Sequence, residues 1–216
     1  MKPKLDIGVV IPTHTRRVVN GMTHRAFHSV MKQTHPAVAI HVFHDTESRG
    51  APFARHTALQ MNRAPWTAFL DSDDHFMPQH LEVLVEAQLK TEADYVYSWY
   101  ELVIMGRRQG DRYVKRPDGT LSDGVFPPGH FRDPWDPENP RQTTITMLVR
   151  TELAQSIGFW APEDETTFED GHRIGEDWHF TLECNRLGKI HHVPQRTWYW
   201  EHHGLNTSGR GGQGDA

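Results

Sequence analysis

Four apolar runs alternate with helix-period segments through the first half of the chain. That alternation is the strongest constraint on its fold. The runs are "LDIGVVIPTHTR", "VAIHVFHDTES", "WTAFLDSDD" and "DYVYSWYELVIM". Between them lie "GMTHRAFHSVMKQTH", "APFARHTALQMNRA" and "PQHLEVLVEAQLKT". Their apolar sides are Met22, Ala26, Phe27, Val30 and Met31 in the first, Phe53, Ala54, Ala58 and Met61 in the second, and Leu81, Leu84, Val85 and Leu89 in the third. Near-continuous apolar runs suit strands covered on both faces, and their alternation with helices predicts an α/β fold with a mainly parallel central sheet flanked by helices. Ligands of such sheets bind beyond the carboxyl ends of the strands. Three run ends carry polar groups: Pro12-Thr13, Asp45, and Asp71 to Asp74. If those strands are parallel neighbours, the three ends meet in one crevice.

The third end is the most demanding. Asp71, Asp73 and Asp74 crowd into four positions directly after the apolar Leu70. Carboxylates this close disfavour one another's ionised forms, so they call for a cation. Oxygen donors suit hard divalent ions such as Mg²⁺ or Mn²⁺. The plainer alternative is a solvated turn ahead of a helix begun near Pro78. Composition removes some classes of partner. A net charge of −5 gives no global basic field for nucleic acid or an anionic membrane. The single cysteine, Cys184, excludes an internal disulfide and fits a reducing, cytoplasmic setting. No apolar stretch reaches bilayer-spanning length, so stable membrane insertion is not expected. The segment "MKPKLDIGVVIP" reads as a first strand rather than a signal peptide. With 16 histidines in the chain, no single histidine is informative by type alone.

Residues 106–141 are rich in Pro, Gly, Asp and Arg and too long for an idle connection; they are expected to form a functional loop or acceptor-side lid. Their basic run, Arg107, Arg108, Arg112, Lys115 and Arg116, is a solvated face or a contact to an anionic acceptor. "TTITMLVRTELAQSIGFW" reads as strand, short helix and turn, and "GEDWHFTLECNRLG" as a helix stopped by Gly188. "KIHHVP" and "RTWYWEHH" read as two short strands, and 209–216 as a disordered tail. One domain over 1–208 is expected.

In this order, "VVIPTHTR", "FHDTES", "RGAPFARHTAL", "AFLDSDD", "GEDWHF" and "WYWEHHGLNTS" resemble the motifs of the family 2 inverting glycosyltransferases, which use nucleotide sugars and have the Rossmann-like GT-A fold. The resemblance spans nearly the whole chain and implies roles for individual residues. Pro12 and Thr13 would lie beneath the nucleotide base, and Asp45 would hydrogen-bond it. Arg55 would sit near the donor. Asp71, Ser72 and Asp73 make the family's D-x-D signature, one acid for the ribose and another for the metal. Asp73, Asp74 and His203 would hold Mn²⁺ or Mg²⁺, with His202 as the alternative ligand. Asp177 would be the general base, with Glu176 assisting it or binding the acceptor. Three departures stand out: His44 replaces a second acidic residue, His56 an asparagine, and Trp200-Glu201 a Tyr-Arg pair.

The implied activity is transfer of a sugar from a nucleoside diphosphate sugar, a UDP-sugar by family habit, to an acceptor hydroxyl. Carboxylates at a helix start stay ionised in the field of the helix N-terminus, which suits a base; equally, Glu176 and Asp177 could simply cap that helix. Trp178 and Trp200 are candidates for the acceptor side, together with Trp198 and Tyr199. The acceptor stays open among a glycan, a small molecule, a protein and a nucleic acid. Two other readings compete. A sugar nucleotidyltransferase normally has a glycine-rich loop after its first strand, and "VVIPTHTRR" has no glycine. A nucleotide- or metal-binding module without catalysis leaves the Glu176-Asp177 pair without a purpose.

Overall fold

A computed structural model of the chain describes residues 5–108, 146–159 and 176–203. In chain order its elements are β1 (Ile7–His14), α1 (Thr15–Val19), α2 (Met22–Met31), β2 (Ala39–Asp45), α3 (Ala51–Met61), β3 (Trp66–Phe69), β4 (His75–Phe76), α4 (His80–Thr91), β5 (Tyr95–Ile104), β6 (Arg107–Arg108), β7 (Met147–Arg150), α5 (Thr151–Ile157), α6 (Glu176–Leu187) and β8 (Ile190–His202). The strands form one sheet in the order β2-β1-β3-β7-β5-β8-β4, with β6 hairpinned onto β5.

The runs of β1, β3 and the first part of β5 are buried on both sides, since successive side chains leave a strand on opposite faces, whereas β2, at the edge, is only partly covered and leaves Val42 37% exposed. In β1, Ile7, Val9 and Ile11 join Ala26 and Val30 of α2 and Leu81 and Leu84 of α4 on one face of the sheet. Val10 joins Ala58 and Leu59 of α3, Leu153 of α5 and Phe180 of α6 on the other. Phe159 stacks on Phe180 at 4.3 Å, and Phe69 meets both rings edge-on. Cys184 is buried in this second cluster, and burial pushes its thiol pKa up, so it packs and does not react.

The central sheet flanked by helices is as expected, with strands of both directions in it. β2, β1 and β3 are parallel, and so are β5 and β8. β7, however, lies antiparallel between β3 and β5, and β4 is antiparallel to β8. An apolar run fixes burial but not direction, which depends on how the connections return the chain. The two short strands expected near the end are one, β8, of 13 residues. Its pairing with β5 jumps from Ser98↔Val193 to Trp99↔Arg196, so Pro194 and Gln195 bulge out of the ladder. Proline has no N–H to give, and a bulge is where a strand tolerates it.

Three apolar assignments also change, and in α4 Leu89 is 38% exposed. Met31 and Met61 are 64% and 44% exposed, each as the last residue of its helix, while Leu59 takes the core position in α3. The expected long loop starts later than residue 106, because Arg107 and Arg108 form β6. The rest of that loop, with Arg112, Lys115 and Arg116, lies outside the described residues, as does the 209–216 tail. No helix among the described residues is long and apolar enough to cross a membrane.

Candidate active site

The carboxyl ends of β2, β1 and β3 lie side by side, since His14 pairs with Asp45 and Val10 with Phe69. They open into a cleft of about 220 Å³ lined by Pro12, Thr13, His14, Arg17, Asp45 and Asp71, with Arg55 and the turn at Ser48 and Gly50 closing it. Thr13 is fixed by a 2.6 Å hydrogen bond between its Oγ1 and that of Thr23 in α2. The Asp45 carboxylate accepts the N–H of Gly50 at 2.9 Å and that of Glu47 at 3.3 Å, so it shapes the wall it lines. Gly50 has φ +102°, a left-handed conformation that a side chain would strain.

Arg55 is the buried hub of the site. Its Nη2 donates to both oxygens of Asp71, at 3.0 and 2.9 Å, and its Nη1 pairs with Glu176 at the start of α6. Burial alone would lower its pKa, but Asp71, Glu176 and Asp177 outweigh that and hold the guanidinium firmly charged. The same arginine therefore ties the acidic loop after β3 to the start of α6, at Glu176, 121 residues from Arg55 in sequence. Glu176 is pushed up by burial, against the pull of Arg55, while the neighbouring Asp177 pushes it further up.

Asp71, Asp73 and Asp74 each offer an oxygen within 4.8 Å of the others. Asp73 Oδ2 contacts Arg17 Nη2 at 2.7 Å and His203 Nε2 at 3.2 Å. Asp74 Oδ1 accepts the Glu201 N–H at 2.9 Å, which pins the acidic loop to β8. Burial, then Asp73 and Asp71, drive the Asp74 carboxyl well above the usual range. A cation would relieve that penalty, and three carboxylates with one imidazole form a donor set that fits Mg²⁺ or Mn²⁺. Ser72 is buried, and its Oγ accepts from Arg17 at 3.3 Å.

Of the two candidate histidines, His203 reaches Asp73, while His202 is exposed with its ring 6.4 Å from Trp200. Trp200 packs edge-on against Tyr100 and belongs to the rim of the core rather than to the cleft lining. Trp198 is buried and Tyr199 stacks on His75 at 4.5 Å. The side chain of Trp178 lies outside the described residues. Two cations absent from the residue-by-residue expectations stand at the site: Arg17, and Arg25, whose Nη2 donates to the Asp73 carbonyl at 2.9 Å. Their sequence signal was only the basic "THTRR" and "THR", far from the acidic cluster along the chain, visible but not specific.

This geometry, a parallel three-strand edge with an acidic metal-type loop and a cleft beyond it, defines a nucleotide-binding α/β fold. The family model described as glycosyl transferase family 2 matches residues 37–158, more than half the chain, and the chain belongs to that family. The "Putative teichuronic acid biosynthesis glycosyltransferase TuaG" of Bacillus subtilis (strain 168) is 30% identical over 87 residues, 40% of this chain and 34% of that protein. The "UDP-Glc:alpha-D-GlcNAc-diphosphoundecaprenol beta-1,3-glucosyltransferase WfgD" of Escherichia coli is 38% identical over 56 residues, 26% of this chain and 22% of that protein. The matches thus span about a third or less of these curated relatives. Among solved structures, S. aureus TarS 1-349 in complex with UDP superposes with a TM-score of 0.64 at 16% identity, covering 91% of this chain and 60% of that one. The same protein with UDP-GlcNAc gives 0.63 at 17% identity, covering 91% and 58%. At such identities the likeness shows the fold, which is that of GT-A glycosyltransferases.

Proposed function

We propose that this protein is a metal-dependent inverting glycosyltransferase that moves a sugar from a nucleoside diphosphate sugar, in the first instance a UDP-sugar, to an acceptor hydroxyl. The observation that carries the reading is the Arg55 bridge. It joins Asp71 of the acidic loop, which lines the cleft, to Glu176 at the start of α6, and this supports a donor-side and an acceptor-side carboxylate serving one reaction centre. TarS, a structural neighbour, is solved with UDP and with UDP-GlcNAc, which supports the choice of donor.

Pro12, Thr13 and Asp45 bind the base, and Asp71, Ser72 and Asp73 the ribose and diphosphate side. Asp73, Asp74 and His203 hold Mn²⁺ or Mg²⁺, which when bound stabilises negative charge on the departing diphosphate as a Lewis acid. Asp177 accepts the proton of the acceptor hydroxyl. As that oxygen bonds to the anomeric carbon, the bond from that carbon to the phosphate oxygen breaks and its electron pair leaves with the diphosphate. One displacement inverts the anomeric configuration. Glu176 is committed to Arg55, so its part is to position that arginine and the helix start. A nucleoside-diphosphate release assay over a panel of nucleotide sugars and acceptors, with Mn²⁺, Mg²⁺ or excess chelator, tests the reading. Release of pyrophosphate instead would mark a nucleotidyltransferase, and release of neither a binding module.

A further inference from the structure

We propose that Arg17 is an exchangeable counter-ion. It holds the Asp73 carboxylate while donor and metal are absent, and moves onto the diphosphate when they bind. The inference rests on the glycosyltransferase reading and adds to it the order in which the site fills.

Arg17 and Arg55 are the cationic side chains among the described residues that line the cleft. They differ in what holds them. Arg55 grips Asp71 with two nitrogens and Glu176 with a third contact, deep in the fold. It has no freedom to follow a ligand. Arg17 makes one close contact to Asp73 Oδ2, 2.7 Å, and a longer one to Ser72, 3.3 Å, and its side chain keeps 18% exposure. Its helix, α1, has five residues, no side-chain cap and no buried residue. Val18 and Val19 in it are 43% and 77% exposed. Little packing is lost if α1 shifts, so the cost of moving Arg17 is low.

Asp73 Oδ2 is also the oxygen that His203 approaches. A divalent ion seated between Asp73 and His203 would meet the guanidinium on the same oxygen. Like charges at that range repel, so the ion alone binds poorly while Arg17 stays. A diphosphate changes the balance, because a guanidinium fork matches phosphate oxygens and gives Arg17 a better place to go. Metal and nucleotide then bind cooperatively, and the coupling is the same in both directions. Arg17 thereby keeps the site from filling with metal that has no donor to activate.

The test measures Mn²⁺ binding by the free-ion electron paramagnetic resonance signal, with and without UDP, and UDP binding by calorimetry, in the wild type, Arg17→Gln and Arg17→Lys. UDP should raise Mn²⁺ affinity in the wild type within the usual coupling range of about 5–150-fold. Arg17→Gln should bind Mn²⁺ alone about tenfold more tightly, bind UDP more weakly, and lose most of the coupling. Arg17→Lys keeps the charge without the fork: Mn²⁺ alone should bind as weakly as in the wild type, and UDP less well. A folded Arg17→Gln that binds Mn²⁺ alone no better than the wild type overturns the proposal, because Arg17 would then only brace the loop. Should Arg17→Gln not fold, Arg17→Lys decides, and unchanged UDP affinity in it overturns the proposal. A wild type that binds neither Mn²⁺ nor UDP would instead defeat the glycosyltransferase reading, and this inference with it.

Discussion

Gly8 and Asn62 occupy each other's space. A Cβ on Gly8 would sit 2.0 Å from Asn62 Oδ1. The Asn62 amide cannot move aside, since it is buried and bonds the Trp66 carbonyl, Thr67, Thr151 and the Ala64 N–H at 2.7–3.3 Å. Gly8→Ala should therefore lower unfolding free energy by about 3 kcal/mol in urea titration, the scale of overpacking with loss of a buried hydrogen bond. At the proposed base, Asp177→Asn should cut transfer by about 10²–10⁴-fold while UDP binding by calorimetry barely changes. Near-normal transfer in that variant would leave the residue as a helix cap. The acids of the site were legible because carboxylates massed at a strand end are costly and stand out. Their cationic partners were not. Arg17 and Arg25 sit in polar stretches where an arginine is by default a solvated charge, and their contacts join residues 48–56 positions apart, beyond any local pattern.

Among the elements, α4 and β8 meet through a buried chain: His80 Nδ1 lies 2.6 Å from Thr197 Oγ1, which lies 2.5 Å from Ser98 Oγ in β5. His80 also stacks on Phe76 of β4 at 4.0 Å. Burial pulls its pKa from 6.5 down to about 3. Between those values the unfolded chain takes up a proton that the native imidazole refuses, so stability falls as pH drops through that window. His80→Gln should flatten that fall by up to about 1.4 kcal/mol per pH unit, read from urea unfolding at pH 7, 6 and 5. An unchanged slope would mean that His80 takes its proton in the native state. The helices and most strands were readable as elements because apolar period follows burial. β8 was not readable as one strand, because Pro194 signals a break in sequence whereas the sheet absorbs it as a bulge.

At the scale of the whole molecule, the alternation of runs already implied an α/β fold with a crevice at the strand ends. It could not show the antiparallel β7 and β4, whose directions depend on chain returns and not on local pattern. If donor and metal share the cleft as proposed, UDP with Mn²⁺ should raise Tm by more than the sum of either alone, and chelator should abolish the excess; this is ordinary linkage to the native state. Differential scanning fluorimetry reads it directly. The long ladder of β8 on β5 has a further consequence, for how the chain folds. It joins segments about 95 positions apart, from Tyr95↔Ile190 to Ile104↔His202. Among the described residues β4 pairs with β8 alone, and Asp74 takes its backbone donor from Glu201. Such distant pairings are slow to form, since loop closure must precede any gain from contact. On a ribosome the parallel edge of β1, β2 and β3 can assemble early. The acidic loop gains its β8 donor and His203 only after Glu201 and His203 have been synthesised, so the proposed metal site is completed by β8.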